Sequence, residues 1–202
     1  WGVILMSLGI GLAFYSHFIS GIISVVLTVA IIGYDAFSKK HGFLGPLNMG
    51  ICRGLNFLLG ISILGSLSLE WTSIVPVVYI FAITLISRGE VHGDNKNDIL
   101  LSGLLYAIVI ASIALIVWIH TNNLLVVFPF LVFFGILIFR PLIKAYQENS
   151  PKNIKKAVIA GVLSLVVMNA CWVAGFSGVY MALLVLLLLP LSMLLSKLFA
   201  VT

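Results

Sequence analysis

Long apolar segments separated by short polar connections make up almost the whole chain. Most of them have the length that a helix needs to cross a bilayer, roughly 17–25 residues. Apolar residues follow one another without the two-residue alternation of outer-membrane strands, so the pattern predicts helices. The sequence therefore predicts one all-α, polytopic helical bundle over residues 1–202. Its predicted segments are residues 1–15, 18–37, 46–66, 72–88, 99–119, 124–142, 156–175 and 178–200.

The connections and the small residues give further expectations about packing. Three connections are so short that they predict antiparallel neighbouring helices. These connections are residues 16–17, 120–123 and 175–178. Pro46 is expected at the first position of the third helix, where a proline is favoured. Gly50 and Gly54 form a small-xxx-small pattern, which predicts close helix packing rather than chemistry.

Composition places the chain in a membrane. It is 62% hydrophobic and only 8% charged, with a mean hydropathy of +1.24. Soluble domains carry roughly 25% charged residues, so we expect an integral membrane protein. Cys52 and Cys171 lie within apolar segments and suggest packing, not a disulfide or metal framework. The chain begins with Trp1 and shows no cleavable signal, which predicts a fragment or a trimmed product.

The basic residues predict an orientation. Of the 11 Lys and Arg residues, all but Arg53 fall on one side of the membrane if the segments are correct. The connections on the other side contain neither Lys nor Arg. By the positive-inside rule the basic side is cytoplasmic, and the expected location is a bacterial inner membrane. The net charge of +5 is thus mainly a topology signal, and nucleic acid is not an expected partner.

One polar stretch, residues 88–98, carries half of the acidic residues of the chain. Glu90, Asp94 and Asp98 are spaced so that they would stack on one face if the stretch were helical. Like charges in that arrangement repel one another unless a cation offsets them. Mg²⁺ is commonly held by one or two carboxylates together with substrate phosphates. The alternative is a solvated loop whose charges only keep it in water.

Several cations lie near the same side of the membrane. Arg53 and Asn56 share a face of the third segment, and a guanidinium inside a span needs an anionic partner. An internal ion pair, or snorkelling of Arg53 to the headgroups, would serve equally well. Together with Arg88, Lys39 and Lys40, Arg53 could line a positive pocket for a phosphorylated ligand.

Three blocks of this sequence resemble UbiA-type membrane prenyltransferases, most strongly the UbiA-like EboC subgroup. The blocks are Tyr34-Asp-Ala-Phe-Ser-Lys-Lys40, residues 45–60 and Ile83-Thr-Leu-Ile-Ser-Arg-Gly-Glu-Val-His-Gly93. The resemblance extends over nearly the whole chain and implies a helical bundle with two acidic motifs on cytoplasmic loops. The first two family helices and the first motif, Asn-xxx-Asp-xxx-Asp, have no counterpart here. Residues 178–200 would be an additional C-terminal helix.

The resemblance also implies site residues. Asp94 and Asp98 stand where the second acidic motif belongs, and Glu90 with Asp94 is an alternative register. This site would hold Mg²⁺, although His92 and Gly93 depart from the family pattern. The residues expected to contact diphosphate are Tyr34, Lys39, Lys40, Arg53, Asn56 and Arg88.

The implied reaction is Mg²⁺-assisted ionisation of a prenyl diphosphate, followed by attack of an acceptor on the allylic cation. The expected partners are prenyl diphosphate, an acceptor and membrane lipid. We expect prenyl transfer by an intact parent and not by this chain alone, which supplies about half of a two-metal site. The alternatives are a non-catalytic lipid-binding or transport component with the same fold, and a purely structural subunit.

Overall fold

The computed structural model describes residues 1–38, 41–63, 65 and 69–198, which are almost entirely helical and include no β-strand. A short 3₁₀ helix, Glu70–Ser73, leads into the fourth α-helix. The described residues therefore form an all-α protein, as the hydrophobic pattern predicts. The helices are α1 (Gly2–Ser16), α2 (Phe18–Ala36), α3 (Leu44–Ser62), α4 (Ile74–Ser87), α5 (Lys96–Thr121), α6 (Leu124–Gln147), α7 (Pro151–Phe176), α8 (Val179–Leu186) and α9 (Leu188–Leu198).

Five helical segments of the described chain are long and apolar enough to cross a membrane, which defines a helical membrane protein. They are Phe18–Ala36, Glu70–Ser87, Lys96–Thr121, Leu124–Gln147 and Pro151–Phe176. The apolar segments Gly2–Ser16 and Val179–Leu194 are shorter. Helix α3 is 19 residues long but is not one of the five. Its polar residues Asn48, Arg53 and Asn56 lower its hydropathy.

Several boundaries of the predicted segments were wrong, and two of the differences involve a proline. The last segment, predicted as one helix over 178–200, is divided between α8 and α9 at Leu187, and residues 199–200 lie outside the described part. Pro190 accounts for the division, because it lacks an N–H and its ring crowds the carbonyl of Leu186. Helix α3 begins at Leu44, so Pro46 is its third residue instead of its first. The proline is still in the first turn, where an N–H has no intrahelical partner.

The chain divides into two compact units, Trp1–Thr84 and Leu85–Thr202. In the first unit α2 packs on both α1 and α3. The Ser62 hydroxyl donates to the Ser20 hydroxyl at 2.9 Å and ties α3 to α2. The predicted close packing at Gly50 is present: a Cβ there would lie 2.7 Å from the Val77 carbonyl oxygen.

In the second unit α7 is the central helix and contacts α5, α6, α8 and α9. The Asn123 amide donates to the Gly175 carbonyl at 3.0 Å and joins the start of α6 to the end of α7. Asn122 adopts the left-handed conformation that ends α5, with φ +54°. Asparagine tolerates this conformation at a helix C-terminus. Fully buried side chains of this unit include Tyr106, Ile113, Phe134, Ile138 and Met168.

Candidate functional site

The acidic stretch is a loop between α4, which ends at Ser87, and α5, which begins at Lys96. Residues 88–92 form turns and residues 93–95 have no regular secondary structure, so none of them is helical. The condition for stacking Glu90, Asp94 and Asp98 on one helical face is therefore not met. Gly93 and Asp94 have φ values of +71° and +55°, which reverse the chain before α5. Glycine and aspartate are residue types that enter this left-handed region at low cost.

Local hydrogen bonds hold this loop in place. The Asn95 amide donates to the Ile86 carbonyl at 3.0 Å, which connects the end of the loop to α4. The Gly93 N–H donates to the Gly89 carbonyl at 2.9 Å. Gly89 lies so close to the Asn95 side chain that a Cβ at Gly89 would overlap it. The loop geometry therefore depends on glycine at position 89 and on the amide of Asn95.

Asp98 lies in the first turn of α5, where the helix dipole favours a negative charge. Its Oδ2 atom is 3.5 Å from Nη1 of Arg88, and both side chains are partly exposed, Arg88 at 48% and Asp98 at 29%. An ion pair with this exposure contributes little stability, about 0–1 kcal/mol. Asp98 is thus already partly neutralised by Arg88 of the preceding loop.

A polar cleft of about 520 Å³ brings part of the predicted site together. Its lining includes Arg88, Asp94 and Asp98, three of the residues predicted to bind metal or diphosphate. Glu90 is half-buried and does not line the cleft. The remaining lining residues are His92, Gly93, Asn95, Lys96 and Asn97. The cleft thus combines two carboxylates with the side-chain cations of Arg88 and Lys96. This combination is suited to a ligand that carries both phosphate and bound metal.

An apolar groove of about 900 Å³ lies between α5 and α6 in the same unit. Asn97 lines both the groove and the polar cleft. Lys96 connects them as well, because its Nζ atom is 5.9 Å from the ring centre of Tyr146, which lines the groove. The apolar lining is formed mainly by Ile99, Leu100, Leu101, Leu104, Phe139, Leu142 and Ile143. A charged cleft beside an apolar groove has the character expected for an amphipathic ligand.

The other predicted diphosphate contacts belong to the first unit. Tyr34 is half-buried near the end of α2, Arg53 is half-buried in α3, and Asn56 is exposed. Asn48 of α3 donates to the Ser38 hydroxyl at 3.1 Å. Lys39 and Lys40 lie outside the described residues. Arg88 is the one predicted diphosphate contact that belongs to the second unit.

Among the described residues, no group of three or more His, Cys, Asp or Glu side chains could hold a metal ion. A Mg²⁺ site can use fewer than three such side chains, because two carboxylates can hold the ion while phosphates and water complete its coordination shell. Asp94 and Asp98 have the right chemistry for such a site, since hard cations prefer carboxylate oxygens. Asp94 is also exposed at the cleft, where a ligand can reach it.

Five lining residues of the cleft were not predicted as site residues: His92, Gly93, Asn95, Lys96 and Asn97. Lys96 was used only as one of the basic residues that predict the orientation, and nothing in the sequence singled out Asn95. Their nearness to Asp94 and Asp98 along the chain was the available indication, because a short loop brings its members to one place.

Comparison with known proteins gives no match: no protein-family model, no curated protein and no solved structure matches this chain at a significant level. The resemblance to UbiA-type prenyltransferases therefore rests on the motifs themselves and stays a prediction.

Proposed function

We propose that the chain binds a prenyl diphosphate and belongs to a Mg²⁺-assisted intramembrane prenyltransferase of UbiA type. The observation that supports this proposal is the polar cleft of Asp94 and Asp98 beside the apolar groove between α5 and α6. A prenyl diphosphate has the matching division into a charged head and an apolar tail. The basic ends of the helices, and the cleft with them, face the cytoplasm in this proposal.

In this proposal the carboxylates, the cations and the apolar groove have separate roles. Asp94 and Asp98 hold Mg²⁺, which offsets their repulsion toward the diphosphate and supplies Lewis-acid stabilisation of the leaving group. Arg88 and Lys96 neutralise phosphate charge from their places in the cleft. The apolar groove accommodates the isoprenoid tail and keeps water away from it.

The test is binding of farnesyl diphosphate to the purified chain, measured by calorimetry with Mg²⁺ or with EDTA. Asp94→Asn and Asp98→Asn remove one charge each and keep the side-chain shape. Loss of a charged contact is worth about 1.5–3 kcal/mol, so each variant should weaken Mg²⁺-dependent binding on the order of tenfold or more. Glu70→Gln is the matched control, because Glu70 is exposed and lies outside the cleft.

One observation favours a second candidate, a non-catalytic binder of prenyl or other lipid ligands. Asp98 is paired with Arg88, so part of the carboxylate charge needs no metal. A binder of this kind holds farnesyl diphosphate equally well in EDTA, and Asp94→Asn leaves its affinity unchanged. Equal affinity in Mg²⁺ and EDTA would therefore replace the prenyltransferase proposal with this one.

A further inference from the structure

A second cavity lies between α6 and α7, near the ends that their connection joins. It has a volume of about 290 Å³ and is lined by Arg140, Pro141, Lys144, Asn153 and Lys156. Arg140 and Lys144 are one turn apart on α6, and Asn153 and Lys156 are one turn apart on α7. Two facing helices therefore direct three cations to one cavity. It shares no lining residue with the cleft of Asp94 and Asp98.

These cations have no carboxylate partner within the described part of the chain. Arg140, Lys144 and Lys156 are all exposed, and none makes an ion pair there. The acid nearest to them in sequence, Glu148, accepts a hydrogen bond from the Asn153 amide at 2.9 Å and does not line the cavity. Three like charges around one cavity repel one another, and a bound anion would offset that repulsion.

The first turns of α7 increase this positive charge. Lys152, Lys155 and Lys156 lie near the N-terminus of α7, and its first turn has no acidic residue. Positive charge at this end of a helix is unfavourable with respect to the helix dipole. The positive-inside rule explains lysines at such an end in general. It does not explain why Lys156 shares a cavity with two cations of another helix.

The depth of the cavity points to a lipid phosphate. Arg140 precedes the end of α6 at Gln147 by about 10 Å, and Lys156 follows the start of α7 at Pro151 by about 8 Å, at roughly 1.5 Å per residue. Both helices are long and apolar enough to cross a membrane. The cations are therefore placed below the helix ends, at the level where headgroup phosphates meet acyl chains. The ring of Pro141 offers these chains an apolar wall.

We propose that the cavity of Arg140, Lys144 and Lys156 binds the phosphate group of an anionic phospholipid. Basic pockets between membrane helices bind anionic headgroups by this combination of charge and depth. The site is separate from the proposed prenyl diphosphate site and does not depend on prenyl transfer.

The test compares two double variants of the full chain in nanodiscs of phosphatidylcholine with added phosphatidylglycerol. Lys144→Gln with Lys156→Gln removes two charges from the cavity, and Lys152→Gln with Lys155→Gln removes two charges beside it. Native mass spectrometry counts the phosphatidylglycerol molecules that each protein retains after release from the nanodisc. Both variants lose the same diffuse attraction to an anionic membrane. The difference between them in retained phosphatidylglycerol therefore measures the contribution of the cavity to lipid binding.

The wild-type chain should retain phosphatidylglycerol over phosphatidylcholine. The cavity variant should lose that preference on the order of tenfold more than the matched variant. Equal losses in the two variants, or no preference in the wild-type chain, would overturn the proposal. A further arm adds inorganic phosphate or glycerol 3-phosphate; displacement of the lipid by either at similar concentration would indicate a site for free phosphate and contradict a lipid site. Because all four substituted lysines are exposed, both variants should keep the wild-type thermal midpoint.

Discussion

Asp94 combines a proposed metal-binding role with a backbone conformation that few residues adopt. Its φ of +55° lies in the left-handed region, directly after Gly93 at +71°. Aspartate and asparagine enter this region more readily than alanine, because their short polar side chains can hydrogen-bond locally. The charge and the conformation of residue 94 can therefore be separated by the choice of substitution.

Asp94→Asn should keep the thermal midpoint of the wild-type chain in detergent while it weakens farnesyl diphosphate binding in Mg²⁺. Asp94→Ala should weaken binding as well and should also lower the thermal midpoint, because a left-handed alanine costs about 1–3 kcal/mol. Circular dichroism during heating measures the thermal midpoint, and calorimetry measures farnesyl diphosphate binding. Equal stability of the two variants would contradict the backbone argument while leaving the role of the carboxylate open to the binding measurement.

Arg88 and Asp98 form a pair whose contribution to stability is expected to be small. The separation of 3.5 Å and the partial exposure of both side chains favour a coupling of less than about 1 kcal/mol. A double-mutant cycle of Arg88→Gln and Asp98→Asn, with unfolding induced by urea or by heat, measures this coupling energy. A coupling of several kcal/mol would show that the pair is a structural clamp and would weaken the assignment of Asp98 to metal.

At the scale of helices, α3 shows how a glycine pattern determines packing. Gly50 and Gly54 of α3 face α4, and a Cβ at either position would meet Val77. At Gly50 the obstacle is the Val77 carbonyl oxygen, which belongs to the backbone and cannot rotate away. Gly60, in the same helix, has open space around it.

Gly50→Ala should therefore lower the free energy of unfolding by about 1–3 kcal/mol, as overpacking does. Gly60→Ala should leave it unchanged or raise it by up to about 1 kcal/mol, because alanine is the better helix former. Thermal unfolding of both variants in the same detergent makes the comparison. A Gly50→Ala variant as stable as Gly60→Ala would contradict the close approach of α3 to α4.

The sequence predicted where the helices lie better than where they end. Hydropathy marks the part of a helix that contacts lipid, whereas the backbone hydrogen bonds continue into water. Helix α5 thus begins at Lys96 instead of 99, α6 continues to Gln147 instead of 142, and α7 begins at Pro151 instead of 156. The conformation of the loop 88–95 could not be predicted, because it depends on the contact of Asn95 with Ile86 and Gly89.

At the scale of the whole molecule, the distribution of charge predicts the orientation. Lys152 lies in the first turn of α7 and Asn122 in the connection of α5 and α6, at opposite ends of predicted spans. In a chain whose Cys52 and Cys171 are replaced by alanine, Asn122→Cys should react with a membrane-impermeant maleimide in intact cells. Lys152→Cys should react only after permeabilisation. The reverse labelling pattern would contradict the positive-inside orientation.

The candidate site was predictable only in part, because the cleft lies within one short loop whereas the groove depends on how two helices pack. Asp94, Asp98 and Arg88 are neighbours in sequence, so a short loop was sufficient to bring them to one cleft. The groove beside it needs Leu142 and Tyr146 of α6 to meet Leu100 and Leu104 of α5. Such a contact depends on how two helices pack, which hydropathy does not determine.

In the proposed function, the charged cleft and the apolar groove bind one amphipathic ligand together. The most direct measurement is the affinity of the purified chain, in Mg²⁺ and in EDTA, for farnesyl diphosphate, inorganic diphosphate and farnesol. We expect farnesyl diphosphate to bind on the order of tenfold or more tightly than inorganic diphosphate or farnesol, and only with Mg²⁺. Inorganic diphosphate or farnesol binding as tightly as farnesyl diphosphate, or an affinity unchanged by EDTA, would contradict the proposed function.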